Sequence, residues 1–183
     1  MLTVLIVPAC NENDEVSLGS LTDALEVNLD SLEDIYKPES VGLIMEKTLQ
    51  WQLRNPVSKN DGNGMLWARS AFFVGVMATA QALQEEKYFR VAQDWGESRG
   101  WKMGNRYDHA DDHSAGKVFT ELHLRQPNRS RIEEVKQTFD QLMQEDRVGR
   151  ELYWWADALF MSPPVLARLY AITGDEAYLD FLA

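Results

Sequence analysis

The sequence is short of the residue types on which several classes of protein depend. Its 183 residues include one cysteine, Cys10. That excludes an internal disulfide and a thiolate metal cluster. No stretch reaches the roughly eighteen consecutive apolar residues of a membrane-spanning helix. Basic side chains are outnumbered, 18 Lys and Arg against 29 Asp and Glu, for a formal net charge of −11. Neither nucleic acid nor an anionic membrane surface is therefore the expected main partner. A small anionic ligand stays open, because a few Arg and Lys can set the field inside a cleft. What the chain does not lack is core material: 45% of it is apolar, which excludes disorder as its general state.

The first ten residues are unlike the rest. Leu2 to Ala9 is apolar and Cys10 follows Val7-Pro8-Ala9. This resembles the end of a bacterial lipoprotein signal, with Cys10 as a lipid anchor, although a basic start is missing and the apolar run is short. The plainer alternative is an N-terminal strand with a buried cysteine. Residues 1–10 are thus read as a candidate lipoprotein signal remnant and residues 11–38 as an acidic linker. The location would be periplasmic or outer-membrane if Cys10 is lipidated, and cytoplasmic otherwise.

After Pro38 the pattern is helical, with almost no β-branched alternation. Residues 39–54 carry one apolar stripe, ended by Asn55-Pro56. Trp67 to Gln84 is apolar nearly all round, which predicts a helix buried on every side. Residues 86–100 are amphipathic, with Tyr88, Ala92 and Trp95 on the stripe. A loop over 101–109 leads to a helix at about 111–125. Ser130 and Glu133 fit a capping box for the next helix, which has Ile132, Val135, Phe139 and Leu142 on its buried face. A further helix is expected from Trp155, restarting or kinking at Ser162-Pro163 and closed by Gly174.

These helices recur. Trp67 and Asp111 are 44 residues apart, Asp112 and Asp157 are 45 apart, and Tyr88 and Tyr178 are 90 apart. Such a period marks stacked helical hairpins. Helix pairs can stack as an open solenoid or curl into a toroid, and the all-round apolar character of Trp67 to Gln84 favours an all-α toroid over residues 39–183, of which this chain would form about three and a half hairpins. Without a polar terminal face it reads as part of a longer protein.

In a hairpin toroid the inner helices start at one rim. The three starts fall at residues 64–69, 107–116 and 153–157, and they carry the unusual side chains. They are Trp67 and Arg69; Asp108, His109, Asp111, Asp112 and His113; and Trp154, Trp155 and Asp157. Convergence of such groups is how a pocket is built. Asp157 is the candidate general acid, because flanking Trp154 and Trp155 would desolvate it; it could instead only stabilise its helix. Residues 108–113 admit three readings. They are a metal site from His109 and His113 at i, i+4, a cap by one Asp, or a catalytic and binding cluster in which His113 meets substrate. The third is favoured, with a cap role for the other Asp. Trp67, Trp101, Tyr107, Trp154 and Trp155 could stack on sugar rings or pack in the core. Arg69 and Lys117 could take a ligand carboxylate or pair with a neighbouring Asp.

The run from Trp154 through Asp157 to Pro164, followed by Ala167-Arg168 and Thr173-Gly174-Asp175, resembles the unsaturated uronyl hydrolases of glycoside hydrolase families 88 and 105. Ala110 to Gly116 and Trp67-Ala68-Arg69 are similar in the same order. The resemblance implies an (α/α)6 six-hairpin barrel that removes a 4,5-unsaturated uronic acid from lyase-generated oligosaccharides. A rhamnogalacturonan-derived substrate is the nearest fit. It implies Asp157 as acid/base, with Asp112, or else Asp111, as second carboxylate. Substrate contacts would come from Trp67, Arg69, Asp111, His113, Trp154 and Trp155. No metal or organic cofactor is implied. The family's chain is about twice as long, so this one alone is not expected to turn over substrate. Two other functions fit less well. One is another (α/α)6 sugar enzyme, an epimerase or a hydrolase of saturated glycosides. The other is a non-catalytic helical-repeat lipoprotein that binds carbohydrate.

Overall fold

The computed structural model describes residues 36–55, 67–147 and 149–182. The candidate signal and anchor at Cys10, the linker up to residue 35 and residues 64–66 of the first helix start lie outside the described residues. The chain divides into two compact units, Met1–Pro56 and Val57–Ala183. In the first, α1 spans Pro38–Arg54. Proline sits in its first turn, where a missing N–H costs nothing. The Asn55 backbone and side-chain amides both donate to the Trp51 carbonyl at 2.9 Å and end it.

The second unit holds α2 (Trp67–Leu83), α3 (Glu86–Ser98), α4 (Ala110–Arg125), α5 (Glu133–Leu142), α6 (Ala158–Met161), α7 (Pro163–Thr173) and α8 (Ala177–Leu182). No strand occurs among the described residues. Helix α4 lies between α2 on one side and α6 and α7 on the other. Helix α3 packs on α2 and α8 packs on α7. Helices α2, α4 and α6–α7 thus form an inner row, with α3, α5 and α8 outside it. Stacked hairpins are what the 44- to 45-residue spacing predicts, and their inner and outer rows are those of a toroid. Tyr88 and Tyr178, one on each of two outer helices, are both wholly buried, so the period marks equivalent places in the fold.

An aromatic column ties the first two hairpins together. Phe73 of α2 stacks on Trp95 of α3 at 4.2 Å. Trp95 leans on Phe119 of α4 at 5.4 Å, and Trp101 meets the same ring edge-on. Offset and edge-on pairs each contribute about 1 kcal/mol beyond burial. Trp101 is 8% exposed, so it belongs to the core and is not a sugar platform.

Three local expectations change. Helix α2 buries one face only, through Ser70, Phe73, Val76, Met77, Thr79 and Ala80, while Trp67, Gly75 and Ala78 are exposed. Its apolar composition is all-round, but α3 and α4 cover one side of it. The capping box at Ser130 is absent. Asn128 caps a 3-10 turn over Arg129–Arg131, and Ser130 donates through both N–H and hydroxyl to the Asn128 side-chain oxygen. The turn delays α5 to Glu133. It also buries Arg131, whose guanidinium donates to the Leu122 and Gln126 carbonyls at 3.0 and 2.8 Å, satisfying the end of α4. Finally, helix does not begin at Trp155. It begins at Ala158, kinks at Ser162, and resumes with Pro163 in the first turn of α7. Gly174 closes α7 at φ 73°, a left-handed conformation glycine adopts without strain.

Candidate active site

The start of α4 and the start of α6 pack directly on each other. The His109 and Trp155 rings lie 4.9 Å apart. Tyr153 and Trp155 pack against Ala110, Ala158 and Met161. Further out, Arg147 donates to Asp108 at 3.0 Å and to Glu145, while the Tyr107 hydroxyl donates to Glu145 at 2.5 Å. The hydrogen bond from Arg147 holds the Asp108 carboxyl below the usual carboxylate range. This mesh binds the loop before α4 to the loop before α6, and so brings two of the three expected helix starts to one rim.

His109, not an aspartate, caps α4: its Nδ1 accepts from the Asp111 N–H at 3.3 Å. Both aspartates then fall inside the first turn, where the helix dipole favours an anion. Asp112 is 2% exposed and turned toward the preceding loop. Its Oδ2 accepts from the Arg106 backbone N–H at 2.8 Å, and its Oδ1 from Arg106 Nη2 at 2.6 Å. Arg106 also reaches Asp111 at 3.5 Å. The loop can approach this closely because residue 104 is glycine; a Cβ there would lie 2.1 Å from the Asp112 carboxyl carbon. Nothing in the sequence alone singles out Arg106. One arginine in a loop carries no periodic signal, and only the folded loop returns it to a carboxylate six residues on.

His113, expected to meet substrate, has both ring nitrogens engaged within the fold. Its ring is wholly buried. Nε2 donates to the Tyr107 carbonyl at 2.7 Å, which fixes the tautomer, and Nδ1 accepts from the Ser162 hydroxyl at 2.8 Å. Burial pushes this imidazole down to about 4, against the pull of the Tyr107 carbonyl and the Asp112 charge. His113 therefore pins the α6–α7 kink to α4. His109 and His113, engaged in different directions, do not converge as metal ligands would.

Asp157 immediately precedes α6 and is exposed, with no side-chain cap bond. The expected shielding by two tryptophans is not found: Trp154 is 75% exposed and meets Trp155 edge-on at 4.8 Å. Those two rings turn instead to a cleft of about 700 Å³ shared with Tyr153, Arg150, Leu159 and Phe181. At the first helix start, Trp67 is exposed and the Arg69 guanidinium lies 5.4 Å from the Phe73 ring. Helix α2, which carries that start, packs along α4.

Helical hairpins in an inner and an outer row, with carboxylates at the α4 and α6 starts, define the class: an all-α hairpin toroid. The same path occurs in two solved structures. One is described as a polysaccharide lyase, with a TM-score of 0.68 and 22% identity over 79% of this chain and 44% of that one. The other is a glycosyl hydrolase family 88 protein from Bacteroides vulgatus, with a TM-score of 0.63 and 19% identity over 77% of this chain and 45% of that one. Both are likenesses of fold. Residues 36–183 match Glycosyl Hydrolase Family 88, and the chain belongs to that family. It is 29% identical to an unsaturated 3S-rhamnoglycuronyl hydrolase of Formosa agariphila over 74% of its own length, and 24% identical to one of Alteromonas over 65%. It spans 39% and 34% of those relatives.

Proposed function

We propose that this chain carries the acid/base half of a glycosidase that removes a 4,5-unsaturated uronic acid from a rhamnose-bearing oligosaccharide. The observation that carries the proposal is the direct packing of the Asp111–Asp112 helix start on the Asp157 helix start, through His109 against Trp155 and His113 against Ser162. Asp157, exposed at the rim, is the proton donor. It protonates C4 of the enol ether, and a water molecule adds its oxygen to C5 and returns a proton to the carboxylate. The hemiketal so formed opens, releasing the uronyl unit as a keto acid and freeing the neighbouring sugar. Asp112, held by Arg106, and Asp111 beside it supply the fixed negative charge that opposes the cation developing at C5. Trp67 and Arg69 at the first helix start, and Trp154 and Trp155 at the third, are the proposed sugar contacts. The names of the two relatives favour a rhamnose-linked uronide, and the resemblance to family 105 favours one derived from rhamnogalacturonan.

The test is loss of absorbance of the conjugated double bond in lyase-generated disaccharides, using the chain extended to the length of its relatives. Asp157→Asn is expected to lower kcat by at least about a thousandfold without changing the melting temperature, since the side chain is exposed. Full activity in that variant refutes the acid assignment. Turnover of saturated uronides alone would favour a different sugar enzyme.

A further inference from the structure

Lys117 takes neither of the roles its charge suggests. It is 5% exposed, so no ligand carboxylate reaches it. Glu121, one turn further along α4, is held on one oxygen by Arg168 at 3.1 Å and on the other by Gln81 at 2.6 Å. The Lys117 ammonium instead lies 3.2 Å from the centroid of the Phe160 ring. Phe160 belongs to α6, whose four residues divide evenly. Ala158 and Met161 enter the core, and Leu159 and Phe160 face outward. The Phe160 N–H donates to the Asp157 carbonyl at 2.9 Å. The turn that presents Asp157 is thus closed by the residue whose ring rests on a buried cation.

We propose that Lys117 is a positioning residue: its ammonium, seated against the Phe160 ring, holds the outward side of α6 and so sets the place of Asp157. The catalytic consequence rests on Asp157 being the acid. The mechanical one does not. A cation out of water gains more from an aromatic face than an exposed one does, and among the described residues no carboxylate pairs directly with Lys117. The charges facing it are Arg168 from α7 and Glu121 from its own helix; α6 offers the ring. Burial, and then Arg168, push its amine down to about 8 against the pull of Glu121. At neutral pH it still carries the proton the contact requires.

Hydrogen exchange of the full chain, followed by mass spectrometry over residues 156–162, tests the proposal. Lys117→Met keeps the length of the stem and removes the charge. It is expected to speed exchange of the Phe160 and Met161 amides about tenfold, with the amides of α2 unchanged as a control for folding. Lys117→Arg is expected to restore most of the protection. Phe160→Leu, a change at a half-exposed site, should speed exchange as Lys117→Met does, and the double variant should add nothing. The difference between wild type and Lys117→Met should fade above about pH 9 as the amine loses its proton, which loss of packing alone would not produce. Exchange within twofold of wild type in Lys117→Met, or a difference independent of pH, overturns the proposal. In the extended enzyme, Lys117→Met should lower kcat with KM unchanged. If the turn loosens but Asp157→Asn stays active, the clamp stands and the assignment of the acid falls.

Discussion

Acidification should unlatch the kink beside Asp157 through a single group. His113 is wholly buried, donates to Tyr107 and accepts from Ser162. Protonating Nδ1 would turn the acceptor of the Ser162 hydroxyl into a second donor and place a charge beside Phe139 and Tyr153. The folded protein takes up that proton near about 4, and the unfolded chain near 6.5. Between those values the unfolded state binds more protons, so stability is fully present above about pH 6.5 and falls as pH drops toward about 4. The gap corresponds to about 3 kcal/mol, a large share of the stability of a domain this size. Urea unfolding followed by tryptophan fluorescence, stepped from about pH 8 to about pH 4.5, measures it. His113→Gln can keep one donor and one acceptor and does not titrate. It should cost about 1–2 kcal/mol at neutral pH. Its stability should then fall less steeply than wild type by about 1.4 kcal/mol per pH unit below pH 6. Carboxylates titrate in both proteins and cancel in the comparison. Parallel stability curves would refute the reasoning, because they would mean His113 takes up its proton alike in the two states.

Two further outcomes follow from the packing. Gly104→Ala should destabilise the fold by about 2–4 kcal/mol, because its Cβ would meet the Asp112 carboxyl at 2.1 Å; a melting temperature within a degree or so of wild type would contradict the observed loop. Trp101→Ala should cost about 3–5 kcal/mol and Trp154→Ala under about 0.5 kcal/mol, as read by urea midpoints. Equal losses from the two would show that Trp154 is not the exposed ring it is here.

The helices, their order and their 44- to 45-residue recurrence are legible in the chain alone. Apolar spacing, proline and glycine act over a few residues, and those short-range preferences survive folding. Helix α1, the kink at Ser162-Pro163 and the closure at Gly174 all fall where local chemistry puts them. The Asp-rich start of α4 and the Asp157 turn were equally visible as unusual composition. What each ionisable group does there was not. His113 looked like a ligand for substrate and is a buried latch. Asp112 is expected as the second carboxylate of the pocket and is gripped by Arg106. Asp157 looked shielded and stands in solvent, while Lys117 looked like a binding cation and is covered by Phe160. For Asp112, His113 and Lys117 the deciding contact comes from a residue elsewhere in the chain, from Arg106 six positions before Asp112 to Ser162 forty-nine positions after His113; Asp157 is decided by the outward turn of Trp154. A side chain's charge, exposure and hydrogen-bond partners depend on what tertiary packing sets around it, and local sequence carries no record of that.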